Sequence, residues 1–277
     1  MTQLTHRIDH GPLACFALRG AESSPTIALA DLMLPPDGDE AKRPEAERDV
    51  TVHGAHSCLL VRFDDRHVLI DGGLDPAVVR AGLGEIGVAE DRIDWVLITH
   101  GDTDHIGGLV DDADDPVFPN ATYVLHRSLW EAWISDAERG DPEPFYEEHQ
   151  RTIARALAEG IADRVVLVDG DADVAPGIRA VASPGHRPSH LAYELTAEGK
   201  RLLHFGDAAI AEPFIEHPER CNAFDADPER AIASRLKLLE LAAQPATLVY
   251  VPHFSFPGFG HVSPRSDRFA WEPRVGG

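Results

Sequence analysis

A short apolar run, Trp95 to Ile98, leads directly into Thr99-His100-Gly101-Asp102-Thr103-Asp104-His105-Ile106-Gly107-Gly108. Between His100 and His105, four of six residues are of types that bind metal ions. On an extended backbone, residues two apart point the same way, so His100 and Asp102 can reach one ion. Asp104 and His105 fall where the chain turns and can face a second ion beside it. Three further apolar runs end in the same fashion: Ile178 to Ala182 before Pro184-Gly185-His186, Leu202 to Phe205 before Gly206-Asp207, and Thr247 to Val251 before His253. These residues converge only in a fold whose strand ends share one rim.

The rest of the chain reads as α/β. Leu13 to Leu18 is apolar, and Cys58 to Phe63 with His67 to Ile70 flank Asp64-Asp65-Arg66 as a hairpin ending in Asp71-Gly72-Gly73. Pro76 to Ile86 has helical spacing, with Asp75 at its N-cap and Pro76 at the first helical position. Ala121 to Leu125 reads as a strand, followed by helices over Ser128 to Ile134 and Tyr146 to Ala158. Val165 to Val168, Ile178 to Ala182, Leu191 to Leu195 and Arg201 to Phe205 are strands, the last two joined at Glu198-Gly199-Lys200. Pro228 to Ala243 is the longest helical pattern. Two β-rich halves with helices outside them predict a sandwich. No composition shift divides the chain, so residues 1–277 are expected to form a single domain, with 35–48 a polar, Pro-rich surface loop.

Composition narrows the partners. The formal charge is −22, and only Lys42, Lys200 and Lys237 are lysines among the 25 basic residues. Such a surface repels a phosphate backbone, and no basic stretch with interleaved aromatics appears, so nucleic acid is excluded as a partner. The acidity fits either a high-salt cytoplasm or a GC-rich genome that favours arginine codons. No apolar run approaches the ~18 residues of a membrane span. Met1 to His10 carries no apolar signal region, and Cys15, Cys58 and Cys221 form no disulfide framework. A cytoplasmic protein acting on a small-molecule substrate, without a membrane partner, is the expectation. The oligomeric state stays open, a homodimer included.

The quoted motifs resemble the metallo-β-lactamase fold superfamily, whose signature is H-x-H-x-D-H followed by a later His, an Asp and a final His. The resemblance runs from about Cys58 to the end. Its methyl parathion hydrolase-like and quorum-quenching lactonase branch is suggested by Phe118-Pro119-Asn120-Ala121, by Ser183-Pro184-Gly185-His186-Arg187-Pro188-Ser189-His190, and by His253-Phe254-Ser255-Phe256-Pro257-Gly258-Phe259-Gly260-His261-Val262. The resemblance implies an αββα sandwich with the metal site at one edge. It also implies two ions: one on His100, Asp102 and His186, a second on Asp104, His105 and His253, with Asp207 bridging them. Asp104 and Asp207 would be the catalytic carboxylates.

Asp102 departs from the signature, standing where the common motif has its second histidine. Some phosphodiesterases and choline-phosphate esterases of the fold resemble this H-x-D-x-D-H form. Two divalent ions against three carboxylates leave one positive charge, where a histidine at 102 would leave two. The expected cofactors are therefore two divalent ions, zinc first, with Mn(II) or Fe(II) favoured somewhat by the extra carboxylate. Ions about 3.5–4 Å apart can hold a bridging hydroxide near neutral pH and polarise an electrophile's oxygen. The expected activity is hydrolysis of a lactone, ester or organophosphate. A phosphodiesterase, a mononuclear iron dioxygenase and a non-catalytic metal-binding module are the alternatives.

Five other histidines are assigned outside the ligand set. His190 and His261 are expected to brace ligands from behind or to be structural rather than to bind an ion, and His204 to be structural. His53 and His56 are read as loop residues, although they could line a pocket. Phe254, Phe256 and Phe259 are read equally as a pocket wall or as loop packing.

Overall fold

The computed structural model describes residues 3–20, 26–34, 50–53, 55–139, 148–266 and 268–276. Two seven-stranded sheets face each other. The first runs, in spatial order, Thr5–His10, Leu13–Arg19, Ser57–Phe63, Arg66–Ile70, Trp95–Leu97, Thr122–His126 and Val165–Val168. The second runs Ala172–Ala175, Ile178–Ala182, Leu191–Ala197, Lys200–His204, Thr247–Tyr250, Phe259–Pro264 and Phe269–Pro273.

Side-chain alternation explains the layering. Along Ser57–Phe63, Leu59, Val61 and Phe63 face inward and join Leu195, Leu202 and Tyr250 in the layer between the sheets. Cys58 and Leu60 point the other way, into a core covered by the helices Pro76–Glu85, Arg127–Arg139 and Glu148–Gly160. The outer face of the second sheet packs Val181, Leu203 and Val249 against Leu238, Leu239 and Ala242 of the helix Pro228–Ala242. This is the expected αββα sandwich.

Local signals set the turns. Asp64 and Asp65 both take positive φ (48° and 61°), as do Glu198 and Gly199 (46° and 76°). These left-handed pairs match the twist of the strands they join. Asp75 caps its helix by accepting from the Ala77 amide at 2.8 Å.

The sequence reading missed strands as well as finding them. Thr5–His10 pairs with Leu13–Arg19 at the edge of the first sheet, and Ala172–Ala175, Phe259–Pro264 and Phe269–Pro273 extend the second. The helix expected over Ser128 to Ile134 extends over Arg127–Arg139, and the one expected from Tyr146 is described as Glu148–Gly160. The 35–48 loop and the His53 side chain lie outside the described residues.

Candidate metal centre and its cavity

Four strand ends meet at one rim of the sandwich. The parallel strands Arg66–Ile70 and Trp95–Leu97 deliver Asp71 and Thr99-His100 side by side. The Leu191 amide donates to the Thr99 carbonyl at 2.8 Å, which ties this rim to the second sheet. Asp102 is extended (φ −71°, ψ 147°), and the turn Thr103–Ile106 begins directly after it. The His105 amide closes that turn by donating to the Asp102 carbonyl at 2.9 Å. Two glycines permit the other approaches. Gly185 (φ +142°) sits where a Cβ would lie 2.2 Å from the Ala231 amide nitrogen. At Gly206 (φ +53°) a Cβ would lie 2.5 Å from His190 Nε2. Any other residue there would displace His186 or Asp207.

All seven expected residues come together. His100 Nε2 and His186 Nε2 lie 3.5 and 3.4 Å from Asp102 Oδ2, and 3.9 and 3.4 Å from Asp207 Oδ2. On the other side, His105 Nε2 and His253 Nε2 each lie 3.2 Å from Asp207 Oδ1, and 3.8 and 3.5 Å from Asp104 Oδ2. The two oxygens of Asp207 therefore face two separate sets of donors. Groups within metal-binding reach of one another include His100, His186 and Asp207, and His105, Asp207 and His253. A third group, His56, Asp104 and His253, brings in a histidine that the sequence reading had assigned to a loop. His56 Nδ1 lies 3.2 Å from Asp104 Oδ2, so from its loop the residue also lines the cavity, as the sequence allowed.

Each imidazole is oriented from behind. His105 Nδ1 lies 2.7 Å from Asp71 Oδ2, and Asp71 also accepts from the Thr99 amide and hydroxyl, both at 2.8 Å. An ionised carboxylate only accepts, so His105 Nδ1 carries a proton, and Nε2, which faces Asp207 and His253, is the nitrogen left to bind an ion once it gives up its own. His186 Nδ1 is 3.2 Å from Asp225 Oδ1, and His253 Nδ1 is 2.8 Å from the Ala55 carbonyl. His190 is a support, as expected: its Nε2 accepts from the Asp207 amide at 2.9 Å. His204 Nδ1 accepts from the Gly206 amide, and His261 bonds the Thr247 carbonyl away from the site. Asp225, Arg187 and Asp71 are the participants that sequence reasoning did not single out. Asp71 stands at a strand end like the others, a usable signal. Asp225 carries no such mark.

The electrostatics are those of a site built to hold cations. Burial alone would raise Asp207, but His253 and then His105 hold it well below the usual carboxylate range. Asp102 is likewise held down against burial, by His100 first and then by His186 and Arg187. Burial opposes charge on His186, yet Asp102, Asp225 and Asp207 raise it to about 9. His105 is raised well above its ordinary value by Asp207, Asp104 and Asp71 against the effect of burial. Buried His100 Nε2, His186 Nε2 and Asp207 Oδ1 have no hydrogen-bond partner. Buried polar atoms are rarely left so, and a divalent ion on each side of Asp207 would satisfy all three. The donor set of imidazole and carboxylate suits that group.

A sequence profile described as the metallo-beta-lactamase superfamily matches residues 52–253. The chain belongs to that superfamily. N-acyl homoserine lactonase AiiA of Bacillus thuringiensis subsp. kurstaki is 25% identical over 175 residues, covering 62% of this chain and 60% of that lactonase. A hydroxyacylglutathione hydrolase of Acidiphilium cryptum is 30% identical over 147 residues, covering 50% of this chain and 41% of that one. The matched segment thus spans less than two thirds of the length of either curated relative. Among solved structures, AidC, a dizinc quorum-quenching lactonase in complex with its product N-hexanoyl-L-homoserine, superposes with a TM-score of 0.79 at 22% identity, over all of both chains. The hydrolase AbOPH superposes equally well, over 100% of this chain and 99% of that one. The AiiA and AidC matches agree with the lactonase branch that the motifs resemble.

The superfamily centre opens into a cavity of about 830 Å³. Asp102, Asp104, Asp207, His186 and His253 lie on its floor, and Ile27, Leu29, Leu32, Val52, Ile210 and Phe254 on its walls. Of the three aromatics weighed for the wall, only Phe254 lines the cavity. Phe259 is buried between the sheets, and Phe256 packs under the Arg19 guanidinium at 4.0 Å. Among the described residues, no helix is long and apolar enough to cross a membrane.

Proposed function

We propose that this chain is a two-metal hydrolase of small neutral lactones or esters carrying an apolar substituent. The observation that carries the reading is Asp207, whose two oxygens face two donor sets at the floor of an apolar-walled cavity. His100, Asp102 and His186 would hold one divalent ion, and Asp104, His105 and His253 the other, with zinc first among the candidates. When bound, the ions supply a nucleophile from water near neutral pH and polarise the oxygen of the scissile carbonyl.

The protein's own groups do the rest. Asp207 fixes the spacing of the two halves. Asp104 faces the cavity beside His56 Nδ1, and its carboxylate oxygen not engaged by an ion would take the proton that water gives up and return it to the leaving oxygen. The walls exclude water and seat an acyl chain. Glu212 and Glu216 also line the cavity, and Glu212 is pushed up by its own burial and then by Glu216. Two carboxylates disfavour an anionic substrate, and the Arg187 guanidinium on the same wall is committed to Asp102 and two carbonyls. That argues for neutral lactones and esters over phosphodiesters.

The test is a substrate series on metal-loaded enzyme: N-acyl homoserine lactones of increasing acyl length, aryl esters, and bis-nitrophenyl phosphate. Burying a methylene stabilises by about 0.8 kcal/mol, so kcat/KM should rise roughly threefold to fourfold per added CH₂ until the cavity is full. Turnover confined to the phosphodiester, with no lactonase or esterase activity, would overturn the reading.

A further inference from the structure

We infer that Arg187 and Asp102 act as one unit, with Arg187 a positioning residue that turns the carboxylate into a one-oxygen, charge-balanced substitute for a histidine. This rests on the two-ion reading of the site. Arg187 Nε donates to Asp102 Oδ1 at 2.8 Å, and Nη2 lies 2.6 Å from Oδ2. The remaining edge of the guanidinium is fixed as well, with Nη1 donating to the carbonyls of His186 (2.7 Å) and Phe224 (2.9 Å). Such fork-to-carboxylate pairing is strong and directional.

The pairing decides which oxygen can reach an ion. Oδ1 is turned toward Nε. Oδ2 stands 3.5 Å from His100 Nε2 and 3.4 Å from His186 Nε2. A carboxylate oxygen has two lone pairs, so Oδ2 can accept from Nη2 and still offer one to an ion held by both histidines. Asp102 is thereby restricted to a single ligand atom, as an imidazole would be.

Charge points the same way. Two divalent ions against Asp102, Asp104 and Asp207 leave one positive charge, and Arg187 brings the total to two. A neutral histidine at 102 would give the same value without any arginine. The lower positive charge expected from an extra carboxylate is therefore offset within the pair. Arg187 follows His186 directly in sequence, so the segment that delivers one ligand also delivers the residue that trims another. A lysine would supply the charge but not the fork.

The experiment is a chelator-buffered zinc titration of metal-free protein, read by bound-metal analysis, for wild type, Arg187→Met, Arg187→Lys, Asp102→Asn and the Asp102→Asn/Arg187→Met double variant. Residues that orient metal ligands typically govern affinity by 10- to 100-fold, so Arg187→Met should weaken one of two ions by about tenfold or more. The other ion should stay within about threefold, and Arg187→Lys should fall between. In the Asp102→Asn background, Arg187→Met should add less than about threefold, because its effect passes through Asp102. Wild-type affinity in Arg187→Met would overturn the inference. So would an undiminished effect in the Asp102→Asn background, which would mean that Arg187 merely braces the His186 and Phe224 carbonyls. A wild-type protein that takes up no zinc would instead overturn the two-ion reading, and this inference with it.

Discussion

Changing Asp71 to asparagine tests how the chain presents His105. Asp71 is 1% exposed and has φ +58°, a left-handed conformation that asparagine tolerates as readily as aspartate. The substitution therefore alters the side chain without straining the backbone, whereas alanine would add roughly 1–2 kcal/mol of backbone strain. Burial would raise the Asp71 carboxyl, but His105 holds it below its ordinary range, so the native group is ionised and accepts from three donors. An asparagine amide can still accept from the Thr99 nitrogen, but its NH₂ then points at His105 Nδ1. If His105 keeps its proton on Nδ1, two donors confront each other at a cost of about 1–3 kcal/mol in stability. If the proton moves to Nε2, the lone pair that faces Asp207 and His253 is lost. Orienting partners of this kind carry roughly 10- to 100-fold in metal affinity. That corresponds to about 1.4–2.8 kcal/mol. Chelator-buffered zinc titration alongside thermal melting of the metal-free variant reads both effects. An Asp71→Asn protein that binds both ions as tightly as wild type, with an unchanged melting temperature, would refute the tautomer argument.

Three other outcomes are expected. In the metal-free chain, His186 is raised to about 9, and His105 and His253 are raised too, so their protonated forms stabilise the fold fully below about pH 6.5, the unfolded value. That stability should disappear as pH climbs through 9, while zinc-loaded protein keeps its melting temperature; parallel curves for the two would count against the site. Ile210→Trp should fill part of the cavity wall and lower kcat/KM for long-chain acyl substrates at least tenfold while sparing short ones, and equal losses for both would show that the wall does not seat the chain. If the charge of −22 is a salt adaptation, the melting temperature should rise substantially from low to molar KCl, and a flat response would favour codon bias.

The site was more legible than the fold around it. His100, Asp102, Asp104, His105, His186, Asp207 and His253 each follow an apolar run, and strand ends at one rim are what such spacing implies. The edge strand Thr5–His10 was not legible because Ile8 is its one large aliphatic among polar residues, which gives no alternation to read. Phe259–Pro264 was not legible for a related reason: Phe259 and Val262 are its only large apolar residues and do not alternate, so nothing marks it as the partner of Phe269–Pro273. Asp225 reaches His186 across a loop, at a sequence distance of 39 residues, and periodicity cannot report such a contact. Arg187 stood inside a quoted motif, but its role depends on Asp102, 85 residues away.

The central claim is that Asp207 joins two ion sites, and anomalous diffraction from zinc-loaded crystals tests it directly. Two peaks are expected, one among His100, Asp102, His186 and Asp207 Oδ2 and the other among Asp104, His105, His253 and Asp207 Oδ1, with both lost or disordered in Asp207→Ala. A single fully occupied peak that persists in Asp207→Ala, or density that leaves either donor set without an ion, would contradict it.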